Sequence, residues 1–129
     1  MFYTDSSADN AREAAGYCRR AGVGERVRIL QGEALALFDA TPGEFDIVFL
    51  DLNKDQYAEA LRRAVPRIRP GGLLVADNVL WRGLVALPPQ TPETAAMAEF
   101  NRQLYADPRL EPVILPLRDG VAVARVTRP

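Results

Sequence analysis

Histidine is absent from the 129 residues, and cysteine, tryptophan and lysine each occur once, as Cys18, Trp81 and Lys54. Without histidine there is no imidazole general base, no serine–histidine triad and no imidazole metal ligand. A lone cysteine cannot pair within the chain and makes no CxxC redox or zinc pattern. It reads as a small core residue on a helix, in keeping with a reducing cytoplasm. No apolar run reaches bilayer length, and no segment reads as a signal peptide. No G-x-G-x-x-G loop occurs, since Gly22-Val23-Gly24 follows a helical pattern rather than a strand. Excess charge of one sign is lacking too. Sixteen basic residues face seventeen acidic ones, so a net charge of −1 provides no bulk field for nucleic acid or an anionic membrane. The basic side chains are fifteen arginines and Lys54, so any argument needing an amine must use Lys54.

What is present is an alternation of strands and helices with an average apolar fraction of 48%. Met1–Thr4 reads as a short strand. Ser6 or Ser7 can cap a helix carrying Ala11, Ala15 and Cys18 on one stripe, ended by Gly22 and Gly24. Val27–Leu30 reads as a second strand, followed by a short apolar helix through Leu35 to Phe38 and a Pro42-Gly43 turn. The run from Asp46 to Asp51 is nearly all apolar, which predicts a strand buried on both faces. A helix with Tyr57, Leu61, Ala64, Val65 and Ile68 on one face follows, broken by Pro70-Gly71-Gly72. Leu73–Ala76 reads as another buried strand ending in Asp77-Asn78. A loop over 79–90 leads to a helix capped by Thr91, with Pro92 in first position and Met97, Phe100 and Leu104 as its apolar stripe. Asp107-Pro108 stops that helix. Leu110–Leu117 and Val121–Val126 form a hairpin signalled by Asp119-Gly120. This order predicts an α/β fold with a mostly parallel sheet and a C-terminal antiparallel hairpin.

Open parallel sheets bind ligands beyond the carboxyl ends of their strands. Four predicted strands end in or just before acidic residues: Asp5, Glu33, Asp51 and Asp77, the last followed by Asn78. Asp51, Asp77 and Asn78 are hard oxygen donors, and with no histidine and one cysteine the best-matched metal is Mg²⁺. The bland alternative is that Asp51 and Asp77 cap the helices that follow them. Lys54 lies three residues after Asp51 and is predicted to face the same cleft. A neighbouring divalent cation would lower its pKa and suit it to act as a general base. Its alternative is a solvated surface lysine.

The stretch Phe45-Asp46-Ile47-Val48-Phe49-Leu50-Asp51-Leu52-Asn53-Lys54-Asp55-Gln56-Tyr57 resembles the signature of the cation-dependent O-methyltransferases, a family that includes catechol and caffeoyl-CoA O-methyltransferases. Arg69-Pro70-Gly71-Gly72-Leu73-Leu74-Val75-Ala76-Asp77-Asn78-Val79-Leu80-Trp81-Arg82-Gly83 resembles its second signature, and the segment from Asp107 to Gly120 resembles its end. The resemblance implies a Rossmann-like class I methyltransferase fold, present as one partial domain over residues 1–129. It implies S-adenosylmethionine and Mg²⁺ as cofactors. Asp51, Asp77 and Asn78 match the metal ligands and Lys54 the catalytic base. Asp5, Glu33, Ala34 and Asp51 match cofactor-contacting positions, Asp5 at the ribose hydroxyls and Glu33-Ala34 at the adenine, with Glu33 in place of the family's Asp. The implied reaction methylates a metal-bound hydroxyl of a catechol-like small molecule, in a homodimer and away from membranes. A hydroxylated tRNA base is an alternative acceptor, against which the net charge of −1 argues, and Arg62, Arg63, Arg67 and Arg69 read as the solvated face of one helix.

Chains of that family begin well before the point matching Met1. The resemblance therefore implies that the first sheet strand and its glycine-rich cofactor loop are missing. Either the strands at Met1–Thr4 and Asp46–Asp51 then pair directly, or an edge is left unpaired, or a partner chain fills the gap. Weak cofactor binding by this chain alone is the expectation. Two rival readings stand beside the enzyme: a truncated methyltransferase-like module without turnover, and a receiver domain phosphorylated at Asp51. The receiver requires a lysine after a later strand and a Ser or Thr where Asp77 stands. Trp81, in the loop predicted to border the acceptor, can stack on an aromatic ring or pack against the lid.

Overall fold

A computed structural model describes residues 1–88 and 91–127. The last two residues of the expected 79–90 loop lie outside this range. The chain divides into two compact units, Met1–Pro42 and Gly43–Pro129.

The first unit is a strand–helix–strand–helix segment. Strand β1 (Phe2–Asp5) pairs in parallel with β2 (Arg28–Gln31), from Phe2↔Arg28 to Asp5↔Gln31. Helix α1 (Ala8–Arg20) joins them and starts where the Ser7 hydroxyl accepts from Asn10 N at 3.3 Å. That places the cap at Ser7 rather than Ser6. Ala11 is buried on its inner stripe, whereas Cys18 is only half-buried. Helix α2 (Ala34–Ala40) follows β2, with Glu33 as its N-cap.

The second unit holds a four-stranded sheet in the order β3 (Phe45–Leu50), β4 (Ile68–Ala76), β6 (Val121–Val126), β5 (Leu110–Leu115). β3 and β4 are parallel, and β6 is antiparallel to both its neighbours. Helices α3 (Tyr57–Ala64) and α4 (Pro92–Ala106) pack together, with Tyr57, Ala60, Leu61, Ala64, Met97, Phe100 and Leu104 buried. Leu50, Leu74, Ala76, Ala122 and Ala124 are buried on alternate strand positions, the period-two pattern of one covered sheet face. α4 starts as the sequence predicts, with Thr91 Oγ1 accepting from Thr94 N and Pro92 in the first turn. No helix among the described residues is long and apolar enough to cross a membrane.

Four expectations need correction. β3 is not buried on both faces: Ile47 is 58% and Phe49 61% exposed. The helix after Tyr57 ends at Ala64, because Pro66 sits in a 3₁₀ turn over Val65–Arg67 and Ile68 already belongs to β4. Pro70-Gly71-Gly72 does not separate helix from strand. It lies inside β4, at a register shift between Phe45 and Ile47 on the partner strand, with Gly71 at φ +81°. Finally, the hairpin loop spans 116–120, with β5 ending at Leu115. Gly120 N donates to Leu117 O at 2.9 Å, and both Arg118 (φ +52°) and Gly120 (φ +81°) take left-handed conformations.

Candidate functional site

The sequence-predicted residues of the second unit come together at the carboxyl ends of β3 and β4. Leu50 pairs with Ala76, so Asp51 and Asp77 emerge side by side, and Asp77 N donates to Leu50 O at 3.1 Å. Asp77 Oδ1 accepts from the backbone N of Asn78 at 2.7 Å. Asn78 itself is left-handed at φ +59°, which asparagine tolerates better than most residues. Asp51 caps no helix: the 3₁₀ turn Lys54–Gln56 has Asn53 at its start, and α3 has Gln56. The helix-cap alternative therefore falls for both carboxylates.

Lys54 lies on that 3₁₀ turn with its ammonium over the strand ends. Its Nζ donates to Tyr57 Oη at 3.0 Å and to Asn78 Oδ1 at 3.4 Å. The same Nζ lies 4.4 Å from the centroid of the Tyr57 ring and 5.4 Å from that of Trp81. Burial pushes its pKa below the ordinary lysine value, while the negative charges of Asp51, Asp77 and Asp119 oppose the shift. Lys54 is thus a half-buried lysine bonded to Tyr57 and Asn78 and set against two aromatic rings, rather than a freely solvated one.

Tyr57 ties into the candidate site, although pattern reading placed it on a core-facing helix stripe and gave it no role there. Its ring is fully buried and meets Phe100 edge to face at 5.2 Å. Its hydroxyl accepts from Lys54 and donates to the Asp77 carbonyl at 3.0 Å. Burial drives the phenol pKa well above its usual value, so it stays protonated and its donor role persists. Only its position three residues after Lys54, one helical turn on, could have signalled the link.

The segment after Asn78 is pinned from two sides. Val79 N and Leu80 N donate to Gly120 O and Asp119 O, and Asn101 Nδ2 donates to Val79 O at 2.8 Å. Trp81, Arg82 and Gly83 then run in left-handed conformations, at φ +46°, +57° and +77°. Left-handed backbone at a bulky residue such as Trp81 costs on the order of 1–2 kcal/mol. The surrounding contacts hold it there, Arg82 N donating to Asp119 Oδ1. The outcome is an indole wall on a cleft of about 560 Å³ whose lining also includes Lys54, Asn53 and Leu52.

Asp5, Glu33 and Ala34 lie in the first unit, at the carboxyl ends of β1 and β2, where Gly32 N donates to Asp5 O at 2.9 Å. Asp5 accepts from Ser7 N (2.8 Å), Asn10 Nδ2 (3.1 Å) and Tyr3 Oη (2.9 Å). These bonds, the one from Ser7 first, hold its carboxyl below the usual aspartate range. Glu33 accepts from Leu35 N and Ala36 N at the start of α2, and Ala34 is the first residue of that helix. The four arginines expected on one helix face are instead distributed. Arg62 and Arg63 pair with Glu59 on α3, Arg67 donates to Gly43 O from the 3₁₀ turn, and Arg69 pairs with Asp46 from β4.

The donor set at Asp51, Asp77 and Asn78 fits a hard divalent cation. Among the described residues no group of three or more carboxylate, imidazole or thiol side chains is placed to hold a metal. A cation here would rest on two carboxylates and one amide oxygen, with water completing its shell. That is the arrangement Mg²⁺ prefers over a fully protein-built cage.

The O-methyltransferase family matches residues 2–127. Caffeoyl-CoA O-methyltransferase 1 of Eucalyptus globulus is 32% identical over 133 residues, covering 94% of this chain and 54% of that protein. A putative O-methyltransferase from Klebsiella pneumoniae superposes with a TM-score of 0.91 at 30% identity, covering 98% of this chain and 61% of that one. The O-methyltransferase TomG from Streptomyces achromogenes, solved with SAM, gives 0.90 at 27% identity, covering 98% and 61%. The chain spans about half the length of the curated relatives it matches. It is built as the Rossmann-like α/β fold of these structural neighbours, and it belongs to the O-methyltransferase family.

Proposed function

We propose that this chain carries the metal- and acceptor-binding part of an S-adenosylmethionine-dependent O-methyltransferase. The proposed acceptor is a small molecule with vicinal, catechol-like hydroxyls. The observation that carries the reading is Lys54, whose Nζ reaches Asn78 Oδ1 at 3.4 Å beside the adjacent strand-end carboxylates Asp51 and Asp77. Asp51, Asp77 and Asn78 would hold Mg²⁺. When bound, S-adenosylmethionine supplies the methyl group and the cation makes the acceptor hydroxyl more acidic. Burial favours the neutral amine of Lys54, and in that form Nζ takes the hydroxyl proton and becomes the ammonium. Tyr57 fixes the position of that amine. Trp81 orients the acceptor ring and sheds water from one side of the cleft, so positioning supplies much of the acceleration.

Asp5, Glu33 and Ala34 are the proposed contacts to the cofactor's ribose and adenine. The carboxylates of Asp5 and Glu33 must then combine that task with the hydrogen bonds they already make to backbone N–H groups. A homodimer is part of the same proposal, supported by the exposed Ile47 and Phe49 on β3.

Equilibrium dialysis with Mn²⁺ as a probe tests the metal centre without requiring turnover. Asp51→Asn combined with Asp77→Asn is expected to weaken binding at least tenfold. Unchanged affinity in a folded double variant refutes the site. Methyl transfer to catechol with Mg²⁺, abolished by Lys54→Met, tests the reaction.

A further inference from the structure

Helix α4 carries an asparagine among its core positions. Met97, Phe100 and Leu104 are fully buried, and Asn101 lies on the same side of the helix, at i+4 from Met97. Its Nδ2 donates to Val79 O at 2.8 Å. Its Oδ1 is the only buried side-chain polar atom without a hydrogen-bond partner among the described residues. An orphaned buried acceptor destabilises a fold, so asparagine carries a cost here that an apolar residue would not. What the amide provides in return is its one donated bond. Val79 is fully buried, and its N donates to Gly120 O at 3.0 Å, so both polar groups of its backbone are held. The residue before it is Asn78, whose other flank is held as well. Asp77 N donates to Leu50 O, the Asp77 carbonyl accepts from Tyr57, and Asn78 N donates to Asp77 Oδ1. Asn78 is thus a left-handed residue, at φ +59°, with bonded backbone on either side.

We propose that Asn101 is a positioning residue for the cation: by holding the Val79 carbonyl it keeps Asn78 left-handed, with Asn78 Oδ1 at the strand ends beside Lys54. This rests on the metal-dependent reading above and adds a residue of α4 to that site. Right-handed or extended backbone is the lower-energy choice for an L-residue, asparagine included. With the Val79 carbonyl released, the chain after Asp77 can relax to it. Asn78 Oδ1, which sits 3.4 Å from Lys54 Nζ, then leaves its place. The two carboxylates stay, because the pairing of β3 with β4 sets where Asp51 and Asp77 emerge. A cation would keep those two ligands and take water in place of the amide oxygen. Asn101 acts through the backbone and supplies no ligand of its own.

Equilibrium dialysis of the full chain with Mn²⁺ reads this effect without turnover. Asn101→Leu should bind Mn²⁺ about three- to tenfold more weakly than the parent, less than the loss of about 10–100-fold typical of groups bonded directly to a metal ligand. Asn101→Ala, which cannot overpack, is the second variant, and circular dichroism establishes that each is folded. Two controls separate positioning from general stability. Leu104→Ala opens a cavity on the same helix without removing the bond to Val79. It should lower the melting temperature and leave Mn²⁺ affinity within about twofold of the parent. Asn78→Gly removes the amide ligand and accepts left-handed backbone, so in that background Asn101→Leu should cost no further affinity. Water-proton relaxation should also show about one more water on Mn²⁺ in Asn101→Leu than in the parent. Parent-like affinity in both folded Asn101 variants, an equal loss in Leu104→Ala, or a further loss in the Asn78→Gly background overturns the inference and leaves the metal site standing. A parent chain that binds no Mn²⁺ overturns both.

Discussion

Tyr57→Phe removes one oxygen atom and two hydrogen bonds from the link between fold and site. The Asp77 carbonyl loses a donor at 3.0 Å, and the Lys54 ammonium loses an acceptor at the same distance. A neutral buried hydrogen bond contributes about 1 kcal/mol net, and one to a charged group about 1.5–3 kcal/mol. Lys54 is partly open to solvent and keeps Asn78, so the lower part of the second range applies. The ring remains, and with it the edge-to-face contact to Phe100, so no cavity forms. The expected loss is about 2–3 kcal/mol. For a cooperative unit of around a hundred residues, that corresponds to a fall in Tm of roughly 10–20 °C. Trp81 lies in the same unit, so thermal melting followed by its fluorescence is the appropriate assay. Tyr105→Phe, at a ring 56% exposed, is the matched control and should move the melting temperature by no more than a surface substitution does. A Tyr57→Phe protein melting within about 2 °C of the parent would refute the claim that this hydroxyl supports both the strand end and the lysine.

Three further predictions rest on other parts of the molecule. A β-carbon at Gly72 would come within 2.6 Å of Ile68 Cγ2 and 2.7 Å of the Asp46 carbonyl, so Gly72→Ala should lose more than about 2 kcal/mol in urea unfolding. Gly43→Ala meets open space at φ +99° and should lose only about 1 kcal/mol from backbone strain. Asp5 and Asp107 titrate below the usual aspartate value, Asp5 mainly through the Ser7 N–H and Asp107 through Arg109. Depressed folded-state pKa values mean that their contribution is complete above about pH 4 and is lost as pH falls through the lower folded values. Urea midpoints should therefore drop between pH 5 and pH 2, and Asp107→Asn should make that drop shallower. The Arg125–Glu111 pair across β5 and β6 is more than half exposed on both sides, so a double-mutant cycle should give less than about 1 kcal/mol, and a larger coupling contradicts the solvent-screening argument.

The candidate site was legible wherever a short apolar run ends in a chemically distinctive residue. Asp51 and Asp77 follow such runs, and two parallel strands in register bring their ends together whatever surrounds them. Lys54 was legible because it is the sole lysine. Tyr57 was hidden by its own success as a core residue: its spacing with Leu61 and Ala64 explains the ring and says nothing of the hydroxyl. Trp81-Arg82-Gly83 was illegible for another reason. Neither Trp nor Arg signals left-handed backbone, and the bonds that enforce it come from Asp119 and Asn101, distant in sequence. The exposed face of β3 was misread because an apolar run reports what a strand can bury, not what covers it. Pro70-Gly71-Gly72 misled because the same residues that break helices also make bulges.

These hits and misses share one cause. Strand periodicity and strand ends are set by the local chain, so composition reports them. The cleft is set by where three separate segments are tied to one another. Asn78 is held at the end of β4, Trp81 by the β5–β6 hairpin loop, and Lys54 by a tyrosine on α3. Each tie is a hydrogen bond between residues at least three apart, and the ties involving Asn78 and Asp119 span more than twenty. A substitution that leaves every strand and helix intact can therefore still open the site, because the bonds that define its geometry are fewer than those that define the fold. Arg82→Pro would test this most simply. It deletes the N–H donated to Asp119 Oδ1 and, through the fixed proline φ, forbids the +57° conformation. The unit's melting curve should change less than under Tyr57→Phe. The Trp81 emission maximum should shift as the indole leaves Lys54, and an unmoved spectrum would show that the wall stands without its tie.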